Sequence, residues 1–230
     1  MLLCFETSAK AASVALFEGD TLLGESYQLT ALTHSQTLMV MAQDLIRQCQ
    51  RKPEDVTAVA VAAGPGSFTG VRIGVAAAKG FAWGAELPCY GVSTLEAMAL
   101  GLGIHEGVIC AAMDARRSQV YNGLFQVKNG EVSRICEDRA ISLEDLATEL
   151  KDIHQPVYLV GDGAALCHRM IPGLMLPPQW RQHQRAVGVG LAALKKIAAG
   201  ESGDGAALVP NYLRLSQAER ERLERGLSLH

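Results

Sequence analysis

Two acids stand where a nucleotide-handling protein would want them. Glu6 closes the apolar run LLCFE and Asp114 closes GVICAAMD, each at the C-terminal end of a predicted strand. In open α/β sheets ligands gather at that end. Thr7 and Ser8 follow Glu6, where hydroxyls in a turn can donate to an anion or simply to the backbone. Gly161-Asp162-Gly163 leaves a third apolar run, either as a ligand loop or as a plain strand exit. Asp114 is followed by Arg116 and Arg117, so its carboxylate either meets a ligand or bonds to its own turn.

The glycine loop Gly64-Pro65-Gly66-Ser67-Phe68-Thr69-Gly70 lies between a predicted strand and a helix, where a phosphate loop would lie. Five residues separate Gly64 from Gly70 and Val71 follows, so the Walker spacing and its Lys-Ser/Thr are missing. A dinucleotide loop needs G-x-G-x-x-G, and this one carries an extra residue before its last glycine. The loop is read as scaffold and interface. Behind it VRIGVAAAKGFAWG is built of small residues, and each interior glycine costs up to about 1 kcal/mol relative to alanine. Packing on its own sheet or contact with a partner must offset that, and the two are compatible.

Other chemistries find little support. The histidines stand at 34, 105, 154, 168, 183 and 230, with no pair four residues apart to hold a metal on a helix. His105-Glu106 has no second histidine four positions on, so the metallopeptidase motif is absent, and Ser67 does not sit in G-x-S-x-G. The six cysteines include no C-x-x-C pair and read as core thiols of a reducing compartment. A net charge of -3 and 5% aromatic residues give no electrostatic or stacking footprint for nucleic acid. No basic leader and no 18-residue apolar run are present, which gives a cytoplasmic expectation with no membrane contact.

The elements that must hold these residues come twice. CFETSAKAASVALFEGDTLLGE and AAMDARRSQVYNGLFQVKNGEV agree in order: strand, acid, polar turn, strand, hairpin, strand. The hairpins fall at Gly19-Asp20 and Asn129-Gly130. A helix starts at Thr33 with Gln36 at capping-box spacing, and Leu38, Met41, Ala42, Leu45 and Cys49 mark its apolar stripe. Val56–Ala63 and Pro88–Val92 read as buried strands, Thr94–Leu102 as a helix, Ser142 as the cap of another. Gln184–Ala199 reads as a helix broken by Gly188 and Gly190. The fold expected is α/β: two tandem RNase H-like βββαβα lobes with a cleft between them, as in the actin/hexokinase/Hsp70 architecture. The lobes are assigned to residues 1–104 and 105–209, and 210–230 to a solvated tail.

The blocks FETSAKAASVAL, HSQTLMVMAQDLI, GPGSFTGVRIG, GVSTLEAMA, DARRSQVY and PNYLR together resemble the TsaB (YeaZ) family, over nearly the whole chain. The resemblance implies an actin-like ATPase fold and a non-catalytic subunit that supports TsaD, with TsaE. That complex forms N6-threonylcarbamoyladenosine at position 37 of tRNAs reading ANN codons. The catalytic sibling carries two metal-binding histidines where this chain has Thr94 and Met98, so no metal centre is expected. The resemblance implies a partner interface on the helices at 34–50 and 71–83: His34, Leu38, Met41, Leu45, Arg72, Gly74, Val75, Ala78 and Lys79. The same helices would pair a homodimer in isolation, and tRNA would be met only through the complex. Glu6, Thr7, Ser8, Asp114, Gly161 and Gly163 would be vestigial nucleotide contacts. Relatives commonly have Asp in place of Glu6. No cofactor of its own is implied, with ATP or ADP at an interface shared with TsaD. PNYLR resembles a docking segment. The rival expectation is an independent actin-like ATPase or kinase, or a glycoprotease-like peptidase.

Overall fold

The computed structural model describes residues 1–104 and 106–214. β1 (Leu2–Glu6) pairs antiparallel with β2 (Ala12–Glu18), which turns at Gly19-Asp20 into β3 (Thr21–Gln28). α1 (His34–Gln48) carries the chain over to β4 (Ala58–Ala62), parallel to β1, and α2 (Phe68–Gly84) to β5 (Cys89–Val92), parallel to β4. The sheet order is β3-β2-β1-β4-β5. α3 (Thr94–Leu102) follows, capped by Ser93 Oγ, which accepts from the Glu96 N–H at 3.1 Å.

The plan then restarts. β6 (Gly107–Arg116), β7 (Gln119–Lys128) and β8 (Glu131–Arg134) form an antiparallel meander turning at Asn129-Gly130. β9 (Arg139–Ser142) pairs with the first half of β7, leaving the second half to β8. α4 (Leu143–Leu150), capped by Ser142, leads to β10 (Val157–Val160), parallel to β6. α5 (Ala164–Met170) and α6 (Ala186–Ala198) complete the described helices. The order β10-β6-β7-β8 repeats β4-β1-β2-β3. A lone parallel bridge between Tyr158 and Met175 stands where the first sheet has β5.

β1 and β4 are buried throughout because helices cover both faces of their sheet. On one face Leu3, Phe5, Val14 and Leu16 meet Leu38, Met41 and Leu45 of α1 and Val71, Val75 and Ala78 of α2. On the other, Leu2, Cys4 and Phe17 meet Ala186, Val189 and Ala193 of α6. α3 instead covers the second sheet, setting Leu95, Met98 and Leu102 on Ile109, Ala111 and Phe125. The two helices are thus exchanged across the lobes and pack on each other. α6, assigned with residues 105–209, belongs spatially to the first lobe.

That exchange explains a second difference. α6 runs unbroken through Gly188 and Gly190, where the sequence suggests an interruption. A Cβ on Gly188 would lie 1.9 Å from Ala97 O, and one on Gly190 would lie 2.2 Å from the Phe17 ring. The glycines are there for close approach, which offsets their cost of about 1 kcal/mol each. A third difference concerns the start of the tail. The Asn211 N–H donates to Ala63 O at 2.6 Å, and Arg214 Nη1 donates to Ala115 O at 2.7 Å. The segment through Arg214 is docked rather than solvated. Residues 215–230 and the histidine of His105-Glu106 lie outside the described residues.

Candidate functional site

The turn after β1 is held by its own acid. The Ser8 N–H donates to Glu6 Oε1 at 2.5 Å, and Glu6 is 1% exposed. Burial pushes its carboxyl up to about 7, against the hydrogen bond from the Ser8 N–H, with Asp162 adding to the rise. Glu6 Oε2 and Ser8 Oγ are both buried without a hydrogen-bond partner. Thr7 Oγ1 donates to Gly70 O at 2.7 Å, so this hydroxyl is already engaged.

The glycine loop is what buries this turn. A Cβ on Gly66 would lie 2.5 Å from Ser8 O, one on Gly70 2.2 Å from Thr7 O, and one on Gly74 2.3 Å from Thr7 Oγ1. The Ser67 N–H donates to Ser8 O at 2.7 Å, and Ser67 Oγ caps α2 by accepting from the Gly70 N–H at 3.3 Å. The absent side chains at 66, 70 and 74 let α2 and its loop lie directly on the first turn. This is scaffold, as the spacing suggested.

The matching turn of the second lobe is open. Asp114 is exposed, and its Oδ1 accepts from the Arg116 N–H at 2.7 Å. Arg116, Arg117 and Ser118 continue in the left-handed region at φ 61°, 54° and 57°. Gly161 and Gly163 are packed against backbone. The Gly163 N–H donates to Ala112 O at 3.0 Å, and a Cβ on Gly161, at φ 106°, would lie 2.1 Å from the same oxygen. Asp162 between them, unnoticed as a site residue from sequence, is pushed up by burial and accepts from Gln184 Nε2 at 3.0 Å.

Between the turns lies a cavity of about 640 Å³. Ser8, Lys10, Asp114, Arg116 and Asp162 line it together with the loop Pro65–Thr69 and the segment Asn211–Arg214. Of the six expected nucleotide contacts, Ser8 and Asp114 reach this lining, while Glu6, Thr7, Gly161 and Gly163 stay behind it.

Most of the expected interface residues lie on the sheet-facing side of their helices. Leu38, Met41, Leu45, Gly74, Val75 and Ala78 are all buried against their own sheet, with Ala78 0% exposed. Full burial of each large aliphatic side chain contributes about 1.5–3 kcal/mol, so these are committed to the monomer. An apolar stripe on an amphipathic helix marks its inner face. His34 Nε2 lies 2.7 Å from Ala9 O, Arg72 Nε donates to the Tyr212 hydroxyl, and Lys79 holds the 206–208 carbonyls. The outer faces present other residues: Met39 and Val40 on α1, and Ala76, Gly80 and Trp83 on α2. Val40 is 55% and Trp83 82% exposed. Among the described residues nothing lies within 4 Å of a Cβ on Gly80, so their packing does not account for this helical glycine, unlike Gly74. The signal was present in sequence as the residues out of phase with the stripe.

The two lobes, each a β-meander extended by a parallel strand and crossed by exchanged helices, define an actin-like fold with an interlobe cleft. Residues 28–221 match the family model described as TsaD: tRNA N6-adenosine threonylcarbamoyltransferase, and the chain belongs to that class. It is 35% identical over 228 residues to the tRNA threonylcarbamoyladenosine biosynthesis protein TsaB of Bacillus subtilis, covering 97% of this chain and 98% of that one. It is 42% identical over 127 residues to TsaB of Escherichia coli, 54% of each chain. The solved YeaZ from Pseudomonas aeruginosa superposes with a TM-score of 0.81 at 27% identity, covering 92% of this chain and 99% of that one. Within the class, the chain belongs to the TsaB (YeaZ) family.

Proposed function

We propose that this chain is the non-catalytic subunit that binds and supports TsaD in forming N6-threonylcarbamoyladenosine at position 37 of tRNAs reading ANN codons. The observation that carries the reading is the likeness to Bacillus subtilis TsaB, which runs end to end rather than over one lobe. TsaE is the expected third component, tRNA is met through the complex, and the setting is cytoplasmic. No helix among the described residues is long and apolar enough to cross a membrane.

The partner face in this reading is the outer surface of α1 and α2. Exposed apolar side chains beside an open helical glycine let another helix come close. The same face serves self-pairing when TsaD is absent. A nucleotide, where one is bound, belongs to an interface shared with TsaD. One solved relative from Pseudomonas aeruginosa is described as similar to a peptidase, but that reading has less to stand on here. The cavity lining among the described residues holds neither histidine nor cysteine, and Ser67 Oγ is occupied as a helix cap.

The test pairs two substitutions on one helix. Ala76→Glu, on the outer face, should leave stability within about 0.5 kcal/mol and abolish co-purification with TsaD. Ala78→Glu, two residues away, should unfold the chain, because it buries an unpaired charge at a cost above about 4 kcal/mol. Retained co-purification of Ala76→Glu would move the interface elsewhere. Depletion of the protein should lower threonylcarbamoyladenosine in tRNA hydrolysates read by mass spectrometry, and unchanged levels would reject the functional reading.

A further inference from the structure

Residues 211–214 are fastened to both lobes. The Asn211 N–H donates to Ala63 O at 2.6 Å, and the Asn211 carbonyl takes the space a Cβ on Gly64 would need, at 2.4 Å. The Tyr212 ring lies on Phe68 with centroids 4.7 Å apart. Its hydroxyl accepts from Arg72 Nε at 2.7 Å, and the same guanidinium sits 3.9 Å over the Phe68 centroid. Two residues on, the chain reaches the second lobe, where Arg214 Nη1 donates to Ala115 O at 2.7 Å.

The two ends of this bridge differ in strength. The first-lobe end combines a backbone bond, a ring stack and a cation over a ring, behind a half-buried Leu208 side chain packed against the core. Among the described residues, the second-lobe end is held by the hydrogen bond from Arg214 to a carbonyl in the turn where residues 116–118 all have positive φ. Among the described residues the lobes also meet through α3 and α6, neither of which lines the cavity, and through Ala9, which packs in the second-lobe core beside Met113 and does line it. The cleft therefore has a packed end, where helices cross, and a tied end, where a short segment spans its walls.

We propose that residues 211–214 are a clasp that ties the second-lobe turn to the first lobe and controls access to the 640 Å³ cleft. Breaking the Arg214–Ala115 bond frees the second-lobe wall while the segment stays docked through Tyr212. The crossed helices act as the hinge, so the change is confined to the cavity walls. This inference does not depend on the identity of the partner or on the reading of α2's outer face.

Hydrogen exchange read by mass spectrometry on the full chain tests it. Arg214→Ala should speed exchange about fivefold or more in peptides covering 8–10, 66–70 and 114–118, with α3 and α6 unchanged. Tyr212→Ala should free the same peptides and residues 209–214 as well. Arg214→Lys, which keeps one charged donor of nearly the same reach, should return exchange at 114–118 toward the wild-type rate. Faster exchange confined to 211–214 would make the segment a passive strut and overturn the proposal. So would a uniform rise that includes α6, which would make Arg214 a general support of the fold.

Discussion

The two acid turns occupy the same place in the two lobes and use the same bond, yet they have opposite surroundings. Glu6 and Asp114 each accept from the N–H two residues on, at 2.5 and 2.7 Å. Glu6 is sealed under α2 and the glycine loop, with its carboxyl pushed up to about 7, whereas Asp114 stands open at the cleft. The duplicated strand ends supply the acid. What lies on top of it decides whether it faces a ligand or becomes part of the core. The first turn has been filled by its own chain, and the second has kept its exposure.

The largest break in this contrast should come from Gly70→Ala. The new Cβ would meet the Thr7 carbonyl at 2.2 Å, so backbone must move, costing about 2–3 kcal/mol in urea denaturation. Glu6→Gln sharpens the contrast through pH. The carboxyl's folded value of about 7 stands above its ordinary 4.5, so the native state holds the proton more tightly than the unfolded chain does. Stability is therefore full below about pH 4.5, falls as pH rises toward 7, and is flat beyond. At about 1.4 kcal/mol per pH unit, that gap amounts to about 3 kcal/mol. Glutamine mimics the protonated acid, so Glu6→Gln should exceed the wild type by up to about 3 kcal/mol at pH 8 and match it near pH 4.5. A wild type equally stable at both pH values relative to the variant would mean Glu6 ionises without penalty. The smallest effect belongs to Asp114→Ala, which removes one exposed bond and should cost about 0.5 kcal/mol in the same denaturation measurement.

Much of the scaffold was legible in the chain. The hairpins at Gly19-Asp20 and Asn129-Gly130, the helix starts at Thr33 and Ser142, and the buried strands at Val56–Ala63 and Pro88–Val92 follow from local chemistry that tertiary contacts had no reason to override. The site was less legible. Leu38, Met41 and Leu45 were visible as a stripe, but a stripe says only that a face is covered, and their own sheet covers it. Asp162, Gln184, Tyr212 and Arg214 are separated along the chain, and only the fold brings them near Ser8 and Asp114.

By itself the sequence determined the repeated strand order, the placement of an acid after each first strand, and the failure of residues 64–70 to match a phosphate loop, because these depend on residue type and spacing along one segment. The tertiary structure decided the rest: that the loop's glycines exist to let α2 lie on the first turn, that α3 and α6 exchange lobes, and that the outer rather than the apolar faces of α1 and α2 are free. Those outcomes depend on which surfaces meet. A glycine's missing side chain has meaning only beside the atom that takes its place, as Thr7 O does at Gly70.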